Sequence, residues 1–190
     1  MKPVTLNAWL GIALLAAAAQ PALAASRTLI AKDSEIAFSV KQMGVPVSGT
    51  FKRFEASIDL DSAQPTASRA ELTVDIASLD TGDDDADAVA LDKPWLDKLG
   101  FPKATFKSSA VRALGPDRYE ATGQLAIRGK SREITVPFET QDEKDGSTWV
   151  RGSFTIKRVD YGIGGGEWNQ GDLVAPDVPV KFKLKLAPVR

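Results

Sequence analysis

Apolar and polar residues alternate along most of this chain, and the alternation is strictest near the C-terminus. Every second position there is apolar, at Val178, Val180, Phe182, Leu184 and Leu186, whereas lysines occupy positions 181, 183 and 185. A period of two is the period of a β-strand, so one face of this segment is wholly apolar. We expect that face to cover an apolar core or an apolar ligand.

Shorter stripes with the same period precede this strand. They fall at 36–40, 47–51, 54–60, 70–76, 119–127, 134–138 and 150–156, and the segment 106–111 has an ambiguous phase. The phase shifts by one residue at Lys52 and Arg53, which predicts a bulge or a bend. Turn-forming residues at 114–117, 128–130 and 143–146 predict hairpins, and successive hairpins build an antiparallel sheet.

These stripes predict an all-β protein. About eight strands, each with one apolar face, are enough to close an antiparallel β-barrel around side chains or one small ligand. A two-sheet sandwich is the alternative architecture. Inward-facing glycines at 49, 123 and 152 either leave space in the interior or mark tight bends.

One segment interrupts the strands and has helical spacing. Leu91, Trp95 and Leu99 recur every fourth residue, and Pro94 suits the first turn of a helix. We therefore predict one short helical segment near residues 85–99, over a mouth of the barrel or along its wall. The preceding acidic run, 83–87, lacks the Gly and Glu positions of a calcium loop and is interpreted as a solvated turn that favours the helix N-terminus.

The N-terminus has the pattern of an export sequence. Lys2 is followed by an apolar stretch, then Pro21, and Ala22-Leu23-Ala24 is a small-x-small cleavage site. We predict a signal peptide over residues 1–24 and a single domain over 25–190, and hence a periplasmic protein.

Composition narrows the chemistry. The chain contains no His and no Cys, which removes the commonest general base, a frequent metal ligand and all thiol chemistry. Its 24 basic and 25 acidic residues give a net charge of −1 without a basic block, which argues against nucleic acid as a partner. We predict a protein that binds an apolar ligand and not an enzyme, with no metal and no cofactor.

Candidate binding residues follow from the inward faces of the strands. The apolar pocket is predicted to comprise Phe38, Phe51, Trp95, Phe106, Leu125, Phe138, Phe154, Ile156, Trp168 and Phe182. Arg158 and Asp160 lie two residues apart and so share a face if the strand continues. They are interpreted either as a brace that closes the barrel end or as charged groups at a mouth, where Arg158 would meet a ligand head group.

Six short segments also occur in a characteristic order. They are Ser34–Phe38, Val47–Phe51, Ser78–Gly82, Phe101–Ser108, Gly123–Gly129 and Lys157–Ile163. In this order they resemble the YceI-like family over nearly the whole of 26–187. The resemblance implies a lipocalin-like antiparallel barrel, exported to the periplasm, that encloses a long isoprenoid chain such as a polyprenyl phosphate or a quinone tail.

The expected partners follow from that resemblance. They are an isoprenoid lipid and a membrane protein that exchanges it, and the chain is a monomer or a homodimer. The alternative function is that of a stress-related periplasmic protein whose barrel is filled by its own side chains and which acts through a partner surface.

Overall fold

Antiparallel strands make up most of the computed structural model, which describes residues 26–166, 168 and 173–188. The predicted signal peptide lies outside these residues. The strands are β1 (Ser26–Thr28), β2 (Glu35–Gln42), β3 (Val45–Phe51), β4 (Phe54–Asp59), β5 (Arg69–Asp75), β6 (Leu79–Asp80), β7 (Lys103–Gly115), β8 (Arg118–Ile127), β9 (Lys130–Asp142), β10 (Thr148–Lys157) and β11 (Asp177–Leu186). One α-helix, α1, spans Asp84–Leu91 in the described part of the chain.

The strands form one sheet that closes on itself. Its order is β1-β4-β5-β7-β8-β9-β10-β11-β2-β3-β6. The segment after β1 returns to β11, where the Ile30 amide donates to the Lys185 carbonyl and the Ala187 amide donates to the Thr28 carbonyl, both at 2.8 Å. Three pairs of consecutive strands, β1/β2, β3/β4 and β5/β6, each follow one interrupted path, so eight positions go around the barrel. The predicted lipocalin-like barrel is confirmed, with eleven strands because three positions are split.

The split between β3 and β4 lies at the predicted phase shift. β3 ends at Phe51 and β4 begins at Phe54. The intervening backbone is held by Ser78, because the Lys52 amide donates to its carbonyl and the Arg53 amide donates to its hydroxyl, both at 3.0 Å. The bend therefore turns the strand away from one neighbour, β2, towards another, β1.

The predicted hairpins are present. Only Pro116 and Asp117 separate β7 from β8, and only Arg128 and Gly129 separate β8 from β9. Arg128 and Gly129 both have positive φ, 50° and 70°, the backbone of a tight turn whose twist matches that of the flanking strands. These short connections fix the register of the longest strands in the barrel.

The helix is shorter than predicted and begins one residue earlier. Asp83 caps it by accepting hydrogen bonds from the amides of Asp85 and Ala86, both at 3.0 Å, so the acidic run does favour the helix N-terminus. Pro94 follows the end of α1 instead of starting a helix, and Leu99 is exposed. The recurrence of an apolar residue at every fourth position over 91–99 comes from a succession of turns, and these turns place Trp95 inward. No helix among the described residues is long and apolar enough to cross a membrane.

One half of the barrel interior is filled by side chains. Val150, Leu184 and Leu186 belong to the main buried cluster, and Val111, Tyr119 and Ala121 form a second cluster. Each fully buried aliphatic side chain contributes about 1.5–3 kcal/mol relative to exposure. This filled half holds the barrel together and leaves the other half available for a site.

Candidate functional site

The other half of the barrel contains a cavity of about 560 Å³. It is lined by side chains from β2, β3, β5, β6, β7, β8, β10 and β11, with α1 and the turn after it on one side. Among the described lining residues, only five are polar or charged: Gln42, Thr81, Asp83, Asp85 and Arg158. A concave site of this volume with an apolar lining is typical of a small-molecule binding pocket.

The alternating face of β11 serves both halves of the barrel. Val178, Val180 and Phe182 line the cavity, whereas Leu184 and Leu186 are buried in the filled half. Strand β8 behaves in the same way, with Leu125 and Ile127 at the cavity and Tyr119 and Ala121 in the core. Period-two patterning thus places a side chain inside the barrel, and its position along the strand decides whether it meets the cavity.

Eight of the ten predicted pocket residues line the cavity. They are Phe38, Phe51, Trp95, Leu125, Phe154, Ile156, Trp168 and Phe182. Phe106 and Phe138 do not, and this part of the prediction is wrong. Phe138 stacks on Tyr119 with ring centres 5.3 Å apart, and Phe106 packs between the core clusters, because both point inward at or beyond the boundary of the filled half.

Two inward glycines make room for aromatic neighbours and not for ligand. A Cβ on Gly49 would come within 2.6 Å of the Phe38 ring, and a Cβ on Gly152 would come within 2.4 Å of the Phe182 ring. These close approaches let the two phenylalanine rings lie flat over their neighbouring strands at the cavity wall. Gly49 and Gly152 therefore give space to aromatic rings of the cavity wall, and they do not themselves add volume to the cavity.

Arg158 is the one basic residue among the lining residues that the structure describes, and all of its guanidinium N–H groups donate hydrogen bonds. The side chain is 1% exposed. Its Nε donates to the Ala175 carbonyl at 3.1 Å, and Nη1 donates to the Ile163 and Gly164 carbonyls at 2.9 and 2.8 Å. Nη2 donates to the Val174 carbonyl at 2.7 Å and to the carbonyl of Trp168.

The predicted brace between Arg158 and Asp160 is wrong. β10 ends at Lys157, and residues Arg158–Tyr161 form a turn of 3-10 helix, so the two side chains do not share a strand face. Asp160 is exposed. None of the described residues places a carboxylate against Arg158. Burial lowers the pKa of Arg158. Because all five of its N–H groups donate to carbonyls, the side chain presents no free donor to a ligand.

The carbonyl network around Arg158 supports the aromatic wall. The Trp95 and Trp168 rings lie 5.7 Å apart at 49°, and the Arg158 guanidinium lies 5.7 Å from the Trp95 ring centre. The Gly164 amide also donates to the Pro94 carbonyl at 3.0 Å. Arg158 therefore acts as a polar anchor that holds two loops and their tryptophans at the cavity.

Sequence reasoning missed the contribution of α1. Ala86, Val89 and Ala90 line the cavity, and their spacing of three and four residues is that of one helix face. This spacing is visible in the sequence, but the predicted helix was centred on later residues. Gln42, Asp83, Asp85 and Val89 are both cavity-lining and exposed, so they mark where the cavity opens to solvent.

The opening carries no arrangement suited to a metal ion. Asp83 is occupied as the helix cap, and Asp87 accepts hydrogen bonds from the Thr81 amide and hydroxyl at 2.8 and 2.7 Å. Within the described ranges, no group of three or more acidic side chains is placed to coordinate an ion. The polar groups at the opening thus stabilise the local backbone.

Comparison with known proteins agrees with this architecture. The family model described as the YceI-like domain matches residues 28–186. A UPF0312 protein of Pseudomonas savastanoi pv. phaseolicola is 32% identical over 165 residues, covering 82% of this chain and 84% of its own length.

Two solved structures share the fold. Burkholderia cenocepacia BcnA is 36% identical, with a TM-score of 0.80, and covers 83% of this chain and 98% of its own. A polyisoprenoid binding domain from Saccharophagus degradans is 20% identical, with a TM-score of 0.68, and covers 86% of this chain and 98% of its own.

Proposed function

Because the chain belongs to the YceI-like family, we propose that it is a binding protein that holds the chain of an isoprenoid lipid in its barrel cavity. The observation that carries this proposal is the apolar cavity of about 560 Å³ that the barrel leaves unfilled. The similarity in fold to a polyisoprenoid binding domain supports the choice of ligand class.

The energetics favour a ligand with a long apolar chain. Each five-carbon isoprene unit contributes roughly 4 kcal/mol of gross transfer free energy, at about 0.8 kcal/mol per buried CH₂. Lost chain freedom and imperfect packing offset much of this gain. Two or three enclosed units are therefore enough for firm binding, and the rest of a long chain need not be buried.

The lining favours binding over catalysis. Among the described cavity residues, the one aliphatic hydroxyl is that of Thr81, and it donates to Asp87, which also accepts from the Thr81 amide and so holds the local backbone. The only described lining cation is saturated by carbonyl groups. The alternative of a barrel filled by its own side chains receives no support from the cavity. The export pattern of residues 1–24 supports a periplasmic carrier role.

The test is to recover the protein from its own periplasm and measure what it holds. We expect native mass spectrometry to show a bound species that organic solvent extracts and that fragments as an isoprenoid lipid. Protein that carries no lipid, and that takes up neither an isoprenoid quinone nor a polyprenyl phosphate after delipidation, would contradict the proposal. N-terminal sequencing of the same material is expected to begin near Ala25.

A further inference from the structure

An exposed apolar tip stands beside the opening of the cavity. The two-residue turn Met43-Gly44 joins β2 to β3, and the Met43 side chain is 69% exposed. Val45 is 63% exposed and Leu173 is 46% exposed. The Met43 amide donates to the Leu173 carbonyl at 2.8 Å, which places Leu173 beside the turn. We call Met43, Val45 and Leu173 the apolar tip.

The apolar tip is continuous with the cavity lining. Val45 shares a strand face with Val47, which lines the cavity. Gln42 pairs with Val45 in the hairpin and bridges to Val174, and both Gln42 and Val174 line the cavity. On the helix side of the opening, Val89 lines the cavity while 58% exposed. On the hairpin side of this opening, a lipid that leaves the cavity would meet apolar side chains.

Met43 occupies a backbone conformation that disfavours it. Its φ is 49° and that of Gly44 is 81°, so both central residues are left-handed, as in a type I′ turn. Asn-Gly is the preferred pair in such a turn, and a non-glycine residue there costs about 1 kcal/mol. The other described non-glycine residues with positive φ are Asp97, Asp117 and Arg128, all polar. Met43 is thus a large, exposed apolar residue in a strained backbone conformation, and this combination lowers the stability of the fold.

We propose that the apolar tip docks on the surface of a lipid bilayer, so that ligand passes between membrane and cavity without crossing water. This inference rests on the proposed function, because that ligand is the lipid held in the cavity. The three side chains of the apolar tip, together with Val89, offer on the order of a few hundred Å² of exposed apolar surface, well below the roughly 800 Å² per partner of a stable protein interface. Shallow insertion into a bilayer has no such minimum area.

The charges around the opening indicate whether the apolar tip docks better on zwitterionic or on anionic bilayers. Residues 42–45 and 173–174 carry no charge, and the exposed Lys41 before them lies on the opposite strand face from the cavity-lining Gln42. Across the opening, Asp83 and Asp85 line the cavity. Carboxylates at the edge of the opening oppose anionic head groups when the tip docks, and salt screens that repulsion. We therefore expect docking on zwitterionic vesicles, and weaker docking on anionic vesicles at low salt.

Met43→Asn separates docking from folding. It removes an apolar group from the tip and supplies the residue that the turn prefers, so we expect unchanged or higher thermal stability together with about tenfold weaker partitioning onto phosphatidylcholine vesicles. The matched control is Leu114→Asn at the β7–β8 turn, where Leu114 is 44% exposed. Ala104, at the other end of β7, lines the cavity; Leu114 lies ten residues further on, roughly 33 Å away along an extended strand, and we expect no change in partitioning.

The outcomes distinguish this inference from the proposed function. Native protein that retains an isoprenoid lipid but does not partition onto vesicles, or partitions equally well as Met43→Asn, would refute docking and leave the carrier role standing. Vesicle docking that depends on Met43, in a protein that holds no lipid, would support docking and refute the carrier role. If sedimentation shows a dimer that Met43→Asn dissociates, the tip is a contact between copies and the bilayer proposal is wrong.

Discussion

Phe154→Ala probes the contact between the cavity wall and its ligand. Phe154 lies on β10 with one side towards the cavity and is partly buried. An aromatic side chain buries about 150 Å² or more, and roughly half of that would face the ligand. At about 25 cal/mol per Å², the lost contact is ~2 kcal/mol, or about 30-fold in Kd.

The assay uses the tryptophans of the cavity. Trp95 and Trp168 line it, so a bound isoprenoid quinone should quench their fluorescence, and a titration of delipidated protein gives the Kd. The matched control is Phe138→Ala, which removes the same group from an inward position in the filled half. That variant should lose stability, by about 3 kcal/mol or more, and keep its affinity.

Two outcomes with these variants would contradict the placement of the ligand chain against Phe154. A Phe154→Ala affinity within about threefold of the unmodified protein would mean that the ligand chain does not lie against this wall. Equal losses of affinity in both variants would mean that the cavity is not the site and that affinity follows stability alone. Circular dichroism should show the strand spectrum in both proteins.

Three further predictions concern the frame of the cavity. Gly152→Ala brings a Cβ within 2.5 Å of a backbone carbonyl oxygen and should lower the free energy of unfolding by about 2 kcal/mol or more; Gly165→Ala, which meets nothing within 4 Å, should change it little in the same urea titration. Arg158→Met leaves buried carbonyls without donors and should cost about 3 kcal/mol or more, measured with an unchanged m-value. The hydrogen bond from Arg53 is the main cause that lowers the pKa of Asp75 from its usual 3.8, so its stabilisation is present above that pH and is lost as pH falls through the lower folded value. Thermal scans should show a smaller loss of Tm below pH 4 in Asp75→Asn than in the unmodified protein, and an equal loss would contradict this assignment.

Local patterning was enough to predict the antiparallel strands and their turns, but it left a barrel and a two-sheet sandwich both open. The alternation at 178–186, the phase shift at Lys52-Arg53 and the hairpin turns each depend on neighbouring residues, and each is present in the structure. Period two decides which face of a strand points inward, because successive side chains point to opposite faces. The cap at Asp83 is likewise a local property, as the side chain bonds to amides two and three residues on.

The depth of each residue within the barrel was decided by tertiary structure alone. Phe138 and Phe154 have the same pattern in sequence, yet one fills the core and the other lines the cavity, because strand registers place them at different levels along the barrel axis. Arg158 was misjudged for a related reason. Its partners are carbonyls from residues up to 17 positions away, which the loop brings together only after β10 ends. Sequence alone therefore determined the inward faces and the turns, whereas the packed barrel decided which inward residues meet a ligand and which hold the fold.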